Sequence, residues 1–495
     1  MQLDGETLRF IFGFKLRGLR QERDLSLKAL AKKTGLSPSY INEIEKGKKY
    51  PKSDKIRLLS QTLNVSYDDL TSIKLKNELG LLAQTLGNNM VRNLPFDVFG
   101  IPARTLFELM SERPQSFGAL IGTVLELARK NNITVEDFFR ATLSAYLDSN
   151  GNYFPELERL ATEFLSALPK EGGAIKSSQL IQYLTSTRRY RIKKIDFKAV
   201  DPALKDLYFH FIPGNEPSLS LNPGLSENET LFILAKEIGY CLLGQTDRMN
   251  SSFHLNPDSF DALLNNFKSA YFASALVIPE KKLVEQMSTF FKKKKWDPND
   301  LLDMVSMYSA PPAAFFHRVS QILPSRLGLD QVFFLRFEFN PKLDELQLLQ
   351  ELHLSGLHAP HEAKNQEHYC RRWLTTSLMR ELNQSNVEML AGAQRSEFFG
   401  TGKEYLCFSL AHKKELDPTR TQCLTVGLRV NDDLRKRVAV LEDQTLLRRM
   451  VSDICESCGI QNCAERAAEP KILNEEAKQT LREKALDKLQ GHLPS

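Results

Sequence analysis

Residues 16–51 read LRGLRQERDLSLKALAKKTGLSPSYINEIEKGKKYP. Glycines punctuate three stretches of helical periodicity. Residues 8–23 form the first, an amphipathic helix. Ser26 stands where an N-cap belongs, ahead of LKALAKKTG, with Leu27, Leu30 and Ala31 at helical spacing. Gly35 ends this second helix, as a glycine with positive φ does. Ser37 caps the third, PSYINEIEKG, with Pro38 at its first position, and Gly47 closes it. Helix, tight glycine turn, helix is the geometry that lays the second helix of the pair in a DNA major groove.

The charge distribution agrees. The chain has 495 residues, 66 of them basic and 61 acidic, for a net charge of +5. Residues 1–75 hold 15 Lys/Arg against 9 Asp/Glu, a balance of +6 that leaves the other 420 residues near −1. A basic first domain on a near-neutral body suits a polyanion partner. No run of about 18 apolar residues is present to span a bilayer, and MQLDGETLRF is unlike a signal peptide. A cytoplasmic protein without a membrane partner is expected, its seven cysteines serving as thiols or metal ligands rather than disulfides. The length suggests roughly three or four domains of about 150 residues.

Residues 16–51 and the following IRLLSQTLNVSYDDL closely resemble the Xre/Cro-repressor type of helix-turn-helix. Ala31 and Gly35 match the small residues at the helix crossing, Ile41 and Ile44 the core positions of the recognition helix. The resemblance implies that Ser37, Ser39, Tyr40, Asn42 and Glu43 face base edges. Asn pairs bidentately with adenine, and Ser or Tyr reaches bases or phosphates. Lys46, Lys48 and Lys49 then suit backbone phosphates.

Residues 76–170 show helical periodicity throughout and no chemistry, which fits a connector or dimerisation segment. Dimers are the usual form for such readers, because twofold symmetry matches palindromic half-sites. From about residue 177 strand patterns enter, at YRIKKIDFK and LKDLYFHFIPG, followed by the capped helix SENETLFILAKEIGYCLLG. Ser226 with Glu229 three residues on reads as a capping box. Within this helix, FILAKEIGYCLLG (232–244) has the outline of the zinc-peptidase pattern His-Glu-x-x-His, with Lys236 and Tyr240 at the histidine places and Glu237 retained.

These strands, the capped helix and the run FDALLNNFKSAYFASALVIP resemble the ImmA/IrrE-like metallopeptidase domain. That family draws a further ligand from a Glu four residues before a Phe-Ala pair. Phe272-Ala273 is that pair here, so the place falls on Lys268. With Lys236, Tyr240 and Lys268 at all three ligand places the domain is expected to be no enzyme, since protonated Lys cannot bind zinc well and Tyr is an uncommon ligand. Two readings remain: a retained scaffold, or a remade positive pocket for a phosphate or carboxylate effector.

The last third carries a helix, PPAAFFHRVSQIL, then strand candidates at QVFFLRFEF, EFFG, YLCFSLAH and CLTVGLRV. ICESCGIQNCAERAAEP follows, with Cys455, Cys458 and Cys463 spaced as C-x2-C-x4-C. Two cysteines two residues apart can chelate one ion or cluster. Cys370 is the candidate fourth ligand and His368 its rival, while Cys241, Cys407 and Cys423 sit in apolar segments as thiols.

The whole combination resembles the short-chain fatty acyl-coenzyme A transcriptional regulators, which join an Xre-type helix-turn-helix, an ImmA/IrrE-like domain and a C-terminal domain with a cysteine motif. The resemblance implies a double-stranded DNA operator, an acyl-CoA-type effector, a homodimer, and in some members a 4Fe–4S iron–sulfur cluster. The residues alone leave cluster, zinc and plain thiols open. The expected fold is multidomain: an all-α helix-turn-helix domain (1–75), a helical connector (76–170), an α+β metallopeptidase-like domain lacking metal ligands (171–300) and a C-terminal α/β sensor domain (301–495). The competing functions are an ImmA-like peptidase that cleaves a repressor and a constitutive DNA-binding protein without an effector.

Overall fold

The computed structural model describes residues 5–45, 48–72, 114–169, 175–252, 257, 259–354, 367–471 and, beyond these, 474–475, 478–479, 481–483 and 486. The chain forms two compact units, Met1–Thr142 and Leu143–Ser495.

In the first unit α1 (Gly5–Gln21), α2 (Leu27–Thr34), α3 (Pro38–Glu45), α4 (Ser53–Thr62) and α5 (Tyr67–Thr71) surround one small core. Leu16, Leu30, Ile41, Ile44, Leu59 and Leu70 are buried in it. The local signals act as expected: Ser26 Oγ accepts the Ala29 N–H, and Gly35 sits at φ 67°. Gly13 permits the close crossing of α1 over α3, since a Cβ there would meet the Ile44 carbonyl oxygen at 2.1 Å. Two further helices follow, α6 (Pro114–Lys130) and α7 (Val135–Ser149), the latter straddling the division between units.

The second unit begins with α8 (Pro155–Ala167) and α9 (Ser177–Arg188). A three-stranded sheet comes next, in the order β1 (Arg191–Lys194), β3 (Ser218–Leu221), β2 (Phe209–Ile212); β1 is parallel to β3 and β2 antiparallel to it. Five helices follow: α10 (Glu227–Leu242), α11 (Phe260–Val277), α12 (Glu280–Phe291), α13 (Pro298–Ser306) and α14 (Pro312–Leu327). The six-stranded sheet then runs β4 (Val332–Asn340), β5 (Glu345–His353), α15 (Leu374–Gln384), β6 (Met389–Phe398), β7 (Lys403–Lys413), β8 (Thr421–Arg429), α16 (Asp432–Arg437) and β9 (Leu447–Val451). Its spatial order is β5-β4-β8-β7-β6-β9, antiparallel except for the parallel edge strand β9.

Period-2 alternation gives this sheet two different faces. Phe334, Leu424, Val426, Phe408 and Leu410 join the large core under the helices that precede the sheet. Phe333, Phe337, Tyr405 and Cys423 join a second core beneath α15. The expected domain limits shift accordingly. The boundary at 300/301 falls inside α13, where Leu301 is buried in the large core, so the two halves share one core within a single compact unit. The expected connector also divides: 76–113 and 170 lie outside the described residues, while α8 packs its Leu157, Ala161 and Phe164 into the second unit.

A buried ion pair fastens α8 to that unit. Arg318 on α14 has no exposed side-chain surface, and its Nη1 and Nη2 donate to the Glu158 carboxylate at 2.5 and 2.7 Å. Its Nε donates to the Ile278 carbonyl, and the Tyr271 hydroxyl donates to the same carboxylate at 2.6 Å. Glu158→Ala strands the guanidinium in the core, and the expected cost is about 3–5 kcal/mol. Urea unfolding followed by circular dichroism checks this; an unchanged midpoint would show that water reaches Arg318 freely.

Candidate functional site

Three places carry the residues the sequence singled out. The first is the recognition helix α3. Ser37 Oγ accepts the Tyr40 N–H at 3.1 Å, so this hydroxyl is the helix cap before it is anything else. Ser39 is exposed, and Tyr40 and Asn42 are half-buried on the open side of the helix, while Ile41 and Ile44 face the core. Glu43 is engaged by the Lys49 ammonium at 2.8 Å, a contact that holds its carboxyl below the ordinary range. Its carbonyl accepts the Lys48 and Lys49 N–H groups, which closes the turn after the helix. Lys48 and Lys49 are exposed there, next to the helix end; Lys46 lies outside the described residues. A residue the sequence reading passed over orients α3. Arg20 on α1 grips Glu45 with Nε and Nη2 at 2.6 and 2.8 Å, and its Nη1 holds the Leu25 carbonyl.

The second place is the helix with the zinc-peptidase outline. Lys236 Nζ and the Tyr240 hydroxyl, one turn apart on α10, both donate to Asn266 Oδ1 on α11. Lys268, the expected third member, does not join them. Two residues along a helix is a rotation of about 200°, so the face that offers Asn266 turns Lys268 away. Burial, with the nearby Arg248 charge, lowers Lys236 to about 8, and burial raises Tyr240 to about 12.

Glu237 has acquired a cation of its own. Arg248 donates Nη1 to Glu237 Oε2 at 2.9 Å and Nη2 to Oε1 at 2.5 Å. Its guanidinium carbon lies 3.7 Å from the Phe211 ring centroid and 3.9 Å from that of Tyr240. The Tyr190 hydroxyl also donates to Glu237 at 3.2 Å. The pair is nearly sealed, with 1% of the Glu237 side chain and 5% of Arg248 exposed. Three of the carboxylate's roughly four lone-pair sites are thus taken, two of them by a guanidinium that a metal-bound water would have to displace. At the N-terminus of α10, Ser226 Oγ accepts the Glu229 N–H at 3.2 Å, but the box is left open: the Ser226 N–H goes to Glu415 instead.

The third place is a pocket in the C-terminal region lined by Cys370, Cys455, Cys458 and Cys463 together with Arg371, Arg372 and Arg466. The three cysteines picked from spacing and Cys370, the candidate fourth, thus share one wall. Cys370, Cys455 and Cys458 are buried and Cys463 is half-buried. Burial pushes Cys370 up to about 11. The Ala467 N–H points at Cys455 Sγ at 3.4 Å, and Arg466 donates to the Cys455 and Ile460 carbonyls. The sulfurs face one pocket without being drawn to coordination spacing; among the described residues no group of three His, Cys, Asp or Glu is close enough to grip an ion. His368, the rival ligand, is turned to Glu456 at 2.8 Å and is not in the pocket wall. Cys407 and Cys423 are buried thiols, each raised to about 12 by burial.

The chain matches the helix-turn-helix family at residues 16–70 and the IrrE N-terminal-like domain at residues 191–319. It is similar to the HTH-type transcriptional regulator RamB of Mycobacterium tuberculosis, 24% identical over 343 residues, which is 65% of this chain and 67% of that protein. Over 60 residues it is 42% identical to the HTH-type transcriptional repressor RghR of Bacillus subtilis, 12% of this chain and 44% of that one. A solved Mycobacterium tuberculosis transcriptional regulator aligns at TM-score 0.47 and 14% identity, across 67% of this chain and 94% of its own. No helix among the described residues is long and apolar enough to cross a membrane.

The Glu237–Arg248 pair can be weighed by a double-mutant cycle. Arg248→Met and Glu237→Met are each expected to lower the urea midpoint, and the double variant to recover part of the loss, with a coupling of about 1–3 kcal/mol. Strictly additive losses would mean that the two groups do not depend on each other.

Proposed function

We propose that the chain is a cytoplasmic, homodimeric regulator that reads a double-stranded operator with α3 and takes its signal in the second unit, without peptidase activity. The observation that carries the reading is the construction of α3. Its apolar face is locked to α1 by Arg20–Glu45, and its other face presents Ser39, Tyr40 and Asn42 beside the lysines of the following turn. Base contacts from the helix give sequence preference; Lys48 and Lys49 contribute phosphate contacts that fix its position. The exposed Leu120, Val124 and Leu127 of α6, spaced four and three residues apart, suit a partner helix of a second copy. The donor set at Lys236, Tyr240 and Asn266, with Glu237 taken by Arg248, is unsuited to zinc.

For the signal, the proposal assigns Cys370, Cys455, Cys458 and Cys463 to an iron–sulfur cluster, with zinc as the alternative. The fit rests on four thiols in one wall and an N–H aimed at Cys455 Sγ. A cluster would supply one-electron redox chemistry; Ala467 and Arg466 would hold the loop that carries its ligands. An acyl-CoA-type effector is the second input. It can shift DNA binding only by binding one arrangement of the protein better than another.

Gel-shift titration on the protein's own promoter, with and without acyl-CoAs and with the protein oxidised or reduced, tests both parts. Asn42→Ala is expected to weaken specific binding by about 1–3 kcal/mol. Lys48→Ala should weaken binding to all sequences and lower the salt slope by about one. Binding that ignores every acyl-CoA and every redox state would remove the sensing half and leave a constitutive DNA-binding protein.

A further inference from the structure

Ser226 offers one backbone N–H ahead of α10, and two glutamates are placed to accept it. Glu229 is the local partner. Its own N–H already bonds Ser226 Oγ at 3.2 Å, the half of a capping box that brings its side chain within a rotamer change of the cap N–H. Glu415 is the distant partner. It stands in the turn 414–420 between β7 and β8 and accepts the Ser226 N–H at 3.0 Å, from 189 residues away in the chain. The same turn rests Leu416 on the approach to α10, where a Cβ on Gly224 would meet Leu416 Cδ2 at 3.2 Å. One N–H therefore decides whether α10 closes its own cap or is tied to the six-stranded sheet.

The displaced carboxylate is left without a donor. No described residue gives a hydrogen bond to the half-buried Glu229 carboxylate. Burial, with the Glu415 charge beside it, lifts Glu229 to about 7, although the Arg336 charge on β4 draws it the other way. The neighbouring groups are committed or fixed in charge. Glu338 is held by Lys414, Arg420 and Gln422, and Glu227 Oε1 accepts the Ser177 N–H. Lys205 attracts Asp417 of the turn, and Asp206 attracts Arg420. Burial keeps Tyr208 a neutral phenol, and burial holds His317 and His412 down to about 4, so both are neutral imidazoles. Glu229 is the group among these whose charge changes near neutral pH.

We propose that Ser226 and Glu415 form a proton-dependent tie between α10 and the β7–β8 turn, made while Glu229 is protonated and exchanged for the closed capping box when Glu229 ionises. A neutral Glu229 neither repels Glu415 nor competes well for an N–H. An ionised Glu229 does both, and the N-terminal end of α10 favours its negative charge. The Glu229 carboxyl ionises higher in the fold than its ordinary 4.5, so the stability gained from the tie is full at acid pH and is lost as pH rises through about 7. The device lies within the second unit. It goes beyond the DNA-reading function and stands whether or not the cysteines hold a cluster.

Hydrogen–deuterium exchange of the full chain, read by mass spectrometry between about pH 6 and about pH 8 and corrected for the intrinsic rate, tests the tie. Peptides covering residues 414–420 are expected to exchange at least about threefold faster at the upper pH, because the ionised share of Glu229 rises from about a tenth to about nine-tenths. Glu229→Gln should keep the slow rate throughout. Glu415→Gln removes the charge that helps to lift Glu229, and should move the midpoint of the change to lower pH. A rate that ignores pH in the natural chain, or a pH response that survives Glu229→Gln, would overturn the proposal. If Glu229→Gln fails to fold, an unmoved midpoint in Glu415→Gln overturns it instead.

Discussion

A carboxylate taken into a protein interior must meet a cation there, and among the described residues three such meetings of a glutamate with an arginine place the parts that matter here. Glu45 meets Arg20, Glu158 meets Arg318, and Glu237 meets Arg248, every one through two parallel N–H donors. Such pairs add little net stability, because desolvation cancels most of the attraction. What they supply is geometry: a forked guanidinium accepts one orientation of a carboxylate. The first pair sets how α3 stands against α1. The second ties α8 to α14. The third fills the position where a peptidase helix of this outline would work on a metal.

The exchange at Glu237 explains how one scaffold can serve another end. The helix keeps its cap, its apolar face and its glutamate, and Gly239 still allows α11 to pass closely, a Cβ there meeting Ser269 backbone atoms at 3.1 Å. Only the polar partners differ. Lys236 and Tyr240 share Asn266, and Arg248 stacks between Phe211 and Tyr240. The domain then packs on the six-stranded sheet through a common core.

Much of this was legible in the sequence because it is local. Ser26, Gly35, Ser37 and Ser226 act within three or four residues of themselves, and cap signals need nothing else. The cysteine set was legible because chelation imposes a short spacing, and Cys370 adds the one distant member. Long-range pairs left no pattern: Arg20 and Glu45 are 25 residues apart, Arg318 and Glu158 are 160 apart, and neither charge looks unlike its neighbours. Lys268 was misplaced because family spacing was carried onto a helix whose phase offers Asn266. The Glu229 box failed for a tertiary reason, Glu415 reaching Ser226 first. Strand β5, ELQLLQELH, escaped notice because an edge strand with one exposed face carries charges that read as loop or helix.

The central claim is that the middle domain holds an internal guanidinium where its outline suggests a metal. Zinc content of the chain with Cys370, Cys455, Cys458 and Cys463 all replaced by serine measures it most directly. The account predicts no stoichiometric zinc in that variant, before or after dialysis against the metal. One zinc per chain that is retained without the cysteines and lost on Lys236→Ala would contradict it.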